Sequence, residues 1–452
     1  MATKSAVGIS ALFLAAAVGA GCTVTTSGAQ CNIDGNCQTG QRCAVVNGSG
    51  TCEACTLPCP AGFTCGTGSS GSAACICPPP SGAVYVDAAV SSGYAPTGAQ
   101  TQACRFKTLT AGLAAAVATG IAEVTATGWT SGNPMIFSDA AGETLPLVVP
   151  QGVTLNTDSG GVGHYAIQAD QTVPTGSGQA PIVQLGPGSS LSGFAIQVGP
   201  AGVASDGVVL SCGAQDAGAS SLSQLVVNGA AGGAAPSVQN GVRLEGACSA
   251  ELKGVEVEAV AASGVLIQSV QSAVVSVAAG TISSCGQTGL VVRVQGGAAV
   301  SITDNTIKAN SGTTKYGLNP DLRTVGGVLF DTNLPASLTF TGNLVFGNKG
   351  DQVMVNSSTP GWNLSGGASC SASSQTVNNV IACYDPAQNG ESPGVGLSLV
   401  STPAGSVDAY FEAWANSPPK AGTDFRIVAG GTLNAIGASG SGYCPLPSGF
   451  CQ

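Results

Sequence analysis

Two glutamates in "GVEVEAV", Glu256 and Glu258, have the type and spacing of a catalytic carboxylate pair. Residues i and i+2 of a β-strand share one face, about 7 Å apart, and glycoside hydrolases place two carboxylates around the sugar bond. The same alternation allows a structural alternative, in which Val255 and Val257 point inward and both glutamates lie on the wet face. The pair is a candidate catalytic site with that alternative open.

A second polar group lies in "KYGLNPDLRTVGG", where Lys315 and Tyr316 precede Asp321 and Arg323. This segment falls in the longest interval between sequence repeats, so it is predicted to be an inserted loop. Asp321 and Arg323 are candidate catalytic residues, with a local ion pair at a turn as the alternative. His164 is the one histidine in the sequence, and a lone histidine is more often structural or solvent-facing than catalytic, as we expect here. A serine nucleophile with its base is not supported, because no second histidine exists.

A candidate binding surface comes from five segments that each begin with glycine: "GVVLS", "GVRLE", "GVLIQ", "GLVVR" and "GVLFD". Alternation predicts that the first and third residues after the glycine point inward and that the fourth points outward. The outward residues, here called the polar strip, are Ser211, Glu245, Gln268, Arg293 and Asp331, with Arg243 as a further cation. Stacked at about 4.8 Å per coil, Glu245 to Asp331 would span about 14 Å.

The polar strip offers donors and acceptors at a spacing close to that of a sugar repeat. It is therefore predicted to bind a polysaccharide, with Gln268 and Arg293 as the central contacts. The alternative is a solvated face whose mixed charges discourage association between sheet edges.

Two ladders of short apolar segments must position these residues. The first ladder has its strands at Leu191, Leu222, Leu252, Val277, Ile302 and Phe340, spaced 25 to 38 residues apart. The second consists of the glycine-led segments, which alternate with the first. A period near 25 residues with two or more short strands is typical of a solenoid. We therefore predict an all-β fold, a single-stranded right-handed parallel β-helix.

The repeated asparagines support this prediction. Residues 301–312 ("SITDNTIKANSG") align without a gap with residues 339–350 ("TFTGNLVFGNKG"), so Asn305 meets Asn343 and Asn310 meets Asn348. Asparagine tolerates the left-handed backbone of a tight turn, and its amide can bond along a stack of identical residues. We expect Asn310 and Asn348 to stand at such turns for structural reasons.

Composition excludes other classes of protein. The chain has 452 residues and a net charge of −10 with 13 Lys+Arg, so it lacks the basic surface that nucleic-acid binding requires. Charged residues are only 8%, whereas 67 glycines and many small residues suit a β protein with many turns. No cofactor and no metal site are predicted, since no acidic cluster matches a calcium site.

The N-terminus "MATKSAVGISALFLAAAVGAGC" has a basic start, an apolar stretch and small residues before Cys22. This pattern predicts a secretion signal over 1–22. Its end resembles a bacterial lipobox, in which Cys22 would carry lipid; an ordinary disulfide role for Cys22 is the alternative. The predicted location is secreted, anchored to the outer membrane or cell surface, with the lipid as the only membrane contact.

Nine of the 18 cysteines fall between 31 and 77, which predicts a disulfide framework rather than a zinc site. These nine and Cys104 are expected to form five bridges. Elsewhere the predicted pairs are Cys212–Cys248, Cys370–Cys383 and Cys444–Cys451, which leaves Cys285 unpaired. The predicted divisions are the signal at 1–22, a tether and cysteine-rich module at 23–82, the β-helix at 83–358, and C-terminal coils with a disulfide-closed cap at 359–452.

Two segments carry a family resemblance. "VYVDAAVSSGYAPTGAQTQACRFKTLTAGLAAAVATG" (84–120) resembles the first coil of pectin-lyase-like β-helix proteins of unknown function, and "DFRIVAGGTLNAIGA" (424–438) is similar to their closing motif. The resemblance implies a short amphipathic helix that caps the stack. That helix is expected to bury Leu109, Leu113, Ala116 and Val117.

The sequence predicts a non-catalytic surface scaffold or adhesin-like module that contacts extracellular polysaccharide. A polysaccharide lyase or glycoside hydrolase is the alternative, and a passive stalk without a ligand is a third possibility. Dispersed charged residues favour binding or structure over catalysis. The oligomeric state is not predicted.

Overall fold

The computed structural model describes residues 82–89, 105–174, 179–212, 218–230, 235–247, 249–294 without 271–272, 297–313, 315–316, 323–331, 337–356, 362–364, 379–384, 394–400, 406–409, 412–416, 419–427, 432–434, 443–446 and 450–451, together with five earlier strands. The chain divides into two compact units, Met1–Pro78 and Pro79–Gln452. Among the described residues, no helix is long and apolar enough to cross a membrane.

The first unit contains antiparallel strands. Strands β1 (Gln30–Cys31), β2 (Gln41–Val46) and β3 (Ser49–Ala54) form one sheet in the order β1-β3-β2, and β4 (Thr64–Thr67) pairs with β5 (Ala73–Ile76). The strand register sets Cys43 opposite Cys52 and Cys65 opposite Cys75. The five bridges predicted for this segment and Cys104 lie outside the described side chains.

The second unit is built from long parallel sheets. Sheet 1 has 18 strands: β6 (Val84–Val86), β7 (Glu123–Ala126), β8 (Met135–Ser138), β10 (Thr154–Thr157), β11 (Tyr165–Ala169), β13 (Ser190–Ser192), β14 (Phe194–Val198), β16 (Ser220–Asn228), β18 (Ala250–Glu258), β20 (Val274–Ala278), β21 (Thr281–Ser283), β23 (Ala299–Thr303), β24 (Thr306–Lys308), β27 (Ser337–Thr341), β28 (Leu344–Phe346), β31 (Val380–Ala382), β34 (Glu412–Trp414) and β37 (Tyr443–Pro445).

Sheet 2 alternates with sheet 1 along the chain. It contains β9 (Leu147–Val149), β12 (Val183–Leu185), β15 (Ala204–Cys212), β17 (Val238–Gly246), β19 (Val265–Val270), β22 (Leu290–Val294), β26 (Arg323–Asp331), β29 (Asp351–Asn356), β32 (Leu397–Leu399) and β35 (Phe425–Ile427), while β25 (Lys315–Tyr316) pairs antiparallel with β26. A third sheet joins β30 (Trp362–Asn363), β33 (Ser406–Asp408) and β36 (Thr432–Asn434).

The strand register confirms both predicted ladders. In sheet 1, Leu191 pairs with Leu222, and the pairing continues through Leu252, Val277, Ile302 and Phe340. In sheet 2, the residues that follow the ladder glycines pair in the order Val208, Val242, Val265, Leu290 and Val328. Nearly all of these apolar side chains are fully buried between the sheets. The chain is therefore a parallel β-helix.

The ladder glycines serve close packing. Gly241 lies inside β17, where a Cβ atom would stand 2.2 Å from Cγ1 of Val257 and 2.6 Å from the carbonyl oxygen of Gly264. A Cβ atom on Gly264 would likewise stand 2.6 Å from the carbonyl oxygen of Gly289. A side chain in this column would collide with both the next coil and the opposite sheet, so packing requires glycine at these positions.

Buried asparagines form hydrogen-bonded ladders along the stack. The Asn310 Nδ2 donates to Asn348 Oδ1 at 2.8 Å, and Asn343 Nδ2 donates to Asn379 Oδ1 at 2.9 Å. The stacking prediction is confirmed, but the backbone assignment is wrong. The left-handed residues are those just before the asparagines, such as Asp304 (φ 57°) and Ala309 (φ 56°). That turn directs the following amide into the core, where it satisfies backbone groups.

Helix α1 (Leu109–Thr119) packs against β6, β7 and β9 at the N-terminal end of the stack. Thr108 caps it by accepting from Ala111 N at 3.2 Å, and the Glu143 carboxylate accepts from Leu109 N and Thr110 N at 2.7 Å each. A 3-10 helix, Asp139–Ala141, precedes Glu143.

Leu109, Leu113 and Ala116 of the capping helix are buried as predicted. The prediction for Val117 is wrong, since it is 58% exposed. Gly112 occupies the buried face instead, because a Cβ there would stand 2.4 Å from Val86 Cγ2, so only glycine lets the helix approach β6 so closely.

The segments that carry the family resemblance hold buried carboxylates. Asp87 accepts from Arg105 Nη1 at 3.1 Å, which joins "VYVD" to "RFKT". Asp424 begins "DFR" and accepts from Lys420 N at 2.6 Å, from Asn416 Nδ2 at 2.7 Å and from the Tyr384 hydroxyl. These motif residues therefore hold turns together at the two ends of the unit.

Two predicted disulfides are wrong. Cys383 bonds to Cys451, with their Cα atoms 5.2 Å apart, which rules out Cys370–Cys383 and Cys444–Cys451. Stacking brings together cysteines 68 residues apart in sequence, so the proximity of cysteines along the chain was misleading. Cys212 and Cys444 are both disulfide-bonded, while Cys248 and Cys370 lie outside the described residues.

The prediction that Cys285 is unpaired is confirmed among the described cysteines. Its side chain is fully buried, and its backbone N donates to Asn310 Oδ1 at 2.9 Å. Burial raises the pKa of the Cys285 thiol to about 12. This cysteine therefore replaces an asparagine in the ladder and is a structural thiol.

Candidate functional site

The polar strip has the predicted register on sheet 2. Ser211 pairs with Glu245, Glu245 with Gln268 and Gln268 with Arg293. Gln268 is exposed, and the other strip residues are partly exposed. The residues that directly precede them in their strands, such as Leu244 and Ile267, are fully buried. Alternation thus places the strip on the outer surface.

Arg293, the cation near the C-terminal end of the strip, is already hydrogen-bonded to a neighbouring strip residue. Arg293 Nε donates to Asp331 Oδ2 at 2.9 Å, and Asn356 Nδ2 donates to Asp331 Oδ1 at 2.7 Å. An arginine already joined to a carboxylate attracts an anionic ligand less strongly than an isolated one. The role of Arg293 and Gln268 as polysaccharide contacts stays a prediction.

Arg243 has a partner that sequence analysis missed. Its Nε and Nη2 atoms donate to the two carboxylate oxygens of Asp206 at 3.1 and 2.9 Å, and its Nη1 donates to Glu245. Asp206 is 1% exposed and also accepts from Asn240 Nδ2 at 2.9 Å. Arg243 therefore lies beside Glu245 as predicted and also compensates the buried charge of Asp206, while its role as a polysaccharide contact stays a prediction.

The candidate catalytic pair lies on the outer face of sheet 1. Glu256 and Glu258 are exposed, whereas Val255 and Val257 are 4% and 1% exposed. The structural alternative is therefore confirmed for the direction of these four side chains. Glu258 Oε1 accepts from Asn228 Nδ2 at 2.7 Å, which ties it to the preceding coil.

Arg323 is a buried partner of Asp351 rather than a loop residue. Its Nε donates to Asp351 Oδ2 at 2.7 Å and its Nη2 donates to Oδ1, with both side chains at most 3% exposed. The prediction that it stands in a polar inserted loop is wrong, because Arg323 begins β26 inside sheet 2. Lys315 and Tyr316 form β25, and Asp321 lies outside the described residues.

His164 also has a structural environment. Its ring stacks on Trp129 with centroids 3.5 Å apart, and its Nδ1 lies 2.9 Å from Ser159 Oγ. Within the described part of the chain, no three acidic, histidine or cysteine side chains are grouped so that they could hold a metal ion.

A cleft on sheet 1 is the candidate site that sequence analysis missed. Gln168 pairs with Gln197 and Gln197 with Asn228, so three amide side chains lie one above another on consecutive coils. We call these three residues the amide column. They line a cleft of about 500 Å³ together with Val198, Gly199, Pro200 and Ala230. Glu258 continues the same column on the next coil.

Hydrogen bonds connect the amide column to its neighbours. Gln197 Nε2 donates to Gln168 Oε1 at 2.6 Å, and Gln168 Nε2 donates to Asp170. Gly199 leaves room for that carboxylate, since a Cβ there would stand 2.3 Å from Asp170 Oδ1. The partly exposed column thus offers polar groups in a fixed arrangement about 4.8 Å apart.

The signal for this site is present in the first ladder. Gln197 ends "SLSGFAIQ", Asn228 ends "SLSQLVVN" and Glu258 ends "ELKGVEVE". Each is the outward residue that follows a buried one in the second half of its coil. The polar character of the amide column could have been predicted from the sequence, but the cleft around the column depends on the loops that follow each strand.

Comparisons with known proteins give the following similarities. No family model and no curated protein matches this sequence. The chain is similar to the Dettilon tailspike protein (gp208), with 14% identity, a TM-score of 0.39 and coverage of 78% of this chain and 69% of that chain. It is also similar to the Azotobacter vinelandii mannuronan C-5 epimerase AlgE6 A-module, with 13% identity, a TM-score of 0.32 and coverage of 75% and 94%. These similarities carry no functional argument, and the fold rests on the strand pairings above.

Proposed function

We propose that this chain is a secreted, non-catalytic β-helix module that binds an extracellular polysaccharide along the amide column. The observation that carries the proposal is the cleft of about 500 Å³ lined by Gln168, Gln197 and Asn228. Amides both donate and accept hydrogen bonds, which suits sugar hydroxyls. Their repeat of about 4.8 Å along the stack suits a polymer whose own units repeat.

The environment of the carboxylates favours binding over catalysis. A catalytic carboxylate pair must flank the sugar bond, but Glu256 and Glu258 both lie on an exposed strand face. A lyase or hydrolase is the alternative proposal. Release of reducing or unsaturated sugars from a bound polysaccharide would support it.

Replacing Gln197 and Asn228 together with alanine is expected to weaken polysaccharide binding at least tenfold, equivalent to about 1.4 kcal/mol. Both side chains are partly exposed, so thermal stability should change little. The measurement is a glycan array of neutral, amino-bearing and uronic polymers, followed by titration of the polymers that bind.

The double variant Gln268→Ala/Arg293→Ala is the matched comparison, because it removes two side chains from the polar strip on the other sheet. If that variant loses binding and the Gln197/Asn228 variant does not, the polar strip is the contact surface and the cleft is not. Absence of binding by the unmodified protein to every polymer would reject the proposed function.

Anchoring at the cell surface is a separate part of the proposal. Residues 1–22 lie outside the described residues, and the support is the sequence "VGAGC" that ends an apolar stretch. We expect the mature chain to begin at a lipidated Cys22, and mass spectrometry of the N-terminal peptide checks this. An unmodified peptide that runs through Cys22 would contradict it.

A further inference from the structure

The amide orientations in the cleft follow from the carboxylate beside them. An ionised carboxylate has no proton to donate, so the Gln168 group that faces Asp170 must be its Nε2. The Gln168 Oε1 atom therefore faces Gln197 and accepts from Gln197 Nε2 at 2.6 Å. This leaves the carbonyl oxygen of Gln197 as an acceptor for the cleft.

Asn228 is oriented by the same rule. Its Nδ2 donates to Glu258 Oε1 at 2.7 Å, and its Oδ1 accepts from Ala230 N at 2.9 Å. The asparagine oxygen is thus engaged by the backbone, and the second oxygen of the exposed Glu258 remains for a ligand. Each amide nitrogen keeps one proton that can bind a sugar hydroxyl.

The charges around the amide column are predominantly negative. Both charged groups bonded to the column, Asp170 and Glu258, are carboxylates. Strand β18 adds the exposed Glu256 two residues before Glu258, and one exposed cation, Lys253, lies earlier in the same strand. A second exposed cation, Lys308, lies two coils beyond Glu258 in the same column, about 10 Å away. A polymer with carboxylates would therefore meet like charges at the cleft.

We propose that the cleft selects a polysaccharide whose repeat donates hydrogen bonds and carries no anionic group, either a neutral polymer or one with amino groups. The inference rests on the proposed function, since it names the ligand class of the same cleft. Asp170 and Glu258 are the specificity-determining residues. Both fix the direction of the amides and repel uronate or sulfate groups, and Glu258 also accepts from the ligand.

The test uses three derivatives of one glucan backbone: the parent polymer, an aminated form and a carboxymethylated form. The unmodified protein is expected to bind the aminated form at least tenfold more tightly than the carboxymethylated form, with the parent between them. The double variant Asp170→Asn/Glu258→Gln should reduce that preference at least fivefold, because both charges are lost and the amides can reverse.

The control variant Glu123→Gln/Glu251→Gln removes two exposed carboxylates from another outward column of sheet 1. It should keep the preference within about twofold at 0.15 M salt, where the Debye length is about 8 Å. An equal effect of both variants would show that net charge, not the cleft, sets the preference and would overturn the inference.

Two further outcomes separate this inference from the proposed function. If the unmodified protein prefers the carboxymethylated polymer and Gln197→Ala/Asn228→Ala abolishes that binding, the cleft binds glycans but the charge inference is wrong. If none of the three polymers binds and the glycan array is also negative, the proposed function fails and this inference fails with it.

Discussion

Replacing Asn343 with alanine is expected to lower the free energy of unfolding of the β-helix by about 3–5 kcal/mol, since each buried group left without a partner costs about 1–3 kcal/mol. Asn343 is fully buried, its Nδ2 donates to Ile302 O and Asn379 Oδ1 at 2.9 Å each, and its Oδ1 accepts from Asn305 N and Nδ2 at 3.1 Å each. The variant would leave several of these groups unsatisfied. Urea denaturation followed by circular dichroism measures the difference.

Asn356→Ala is the matched control for this prediction. Asn356 also follows a buried strand residue, but it is partly exposed, and its one side-chain hydrogen bond among the described residues goes to Asp331, which Arg293 continues to hold. We expect a change of at most about 1 kcal/mol for the control. Equal effects of the two substitutions would mean that the internal ladder contributes no more than a surface hydrogen bond.

The Glu412→Gln variant is expected to be more stable than the unmodified chain at pH 8 and nearly equal to it at pH 4. Glu412 is fully buried at the end of the asparagine ladder, where its Oε1 accepts from Asn379 Nδ2 at 3.1 Å and its Oε2 has no hydrogen-bond partner among the residues that the structure describes. Burial raises its pKa well above the ordinary value, against the smaller lowering effect of Asn379. Glutamine keeps the neutral form at every pH.

The direction of the pH effect follows from proton linkage. The folded state binds the Glu412 proton more tightly than the unfolded state does, so the stabilising effect of that proton is complete below the unfolded pKa. As pH rises above that value, stability falls until pH reaches the folded pKa, by about 1.4 kcal/mol for each unit between the two pKa values. Urea midpoints measured from pH 4 to pH 8 test this.

Glu251→Gln serves as the control for Glu412→Gln, because Glu251 is exposed on sheet 1. That variant should reproduce the pH dependence of the unmodified protein. If Glu412→Gln also does so, burial of Glu412 does not determine the decline in stability, and other ionisable groups must be responsible.

Alternation and repetition made much of the fold predictable. In a parallel stack, each coil must place an apolar residue above the one before it, so Leu191, Leu222 and Leu252 could be aligned from their neighbours alone. The predicted register holds through Phe340 because the variable intervals between repeats fall in connections rather than inside strands. The outward direction of Glu256 and Gln268 follows from the same period of two.

Contacts between coils could not be read in this way. Which outward side chains meet depends on where each loop returns, so the partnership of Arg243 with Asp206, 37 residues earlier, has no sequence signal. The Cys383–Cys451 bond crosses coils for the same reason. Short sequence separations had suggested the pairs Cys370–Cys383 and Cys444–Cys451, but stacking of the coils brings Cys383 close to Cys451 in space.

The sequence by itself determined that this protein is a stacked β-structure with stacked asparagines and polar outer faces, because strand periodicity and the repeat of about 25 residues are local properties. Only the tertiary structure decided which polar face has a cleft. Gln168, Gln197 and Asn228 are ordinary outward residues in sequence. They become a candidate site because Gly199, Pro200 and Ala230 follow their strands and form the remaining walls. A concave site requires groups from several coils, so its position depends on packing that no single segment encodes.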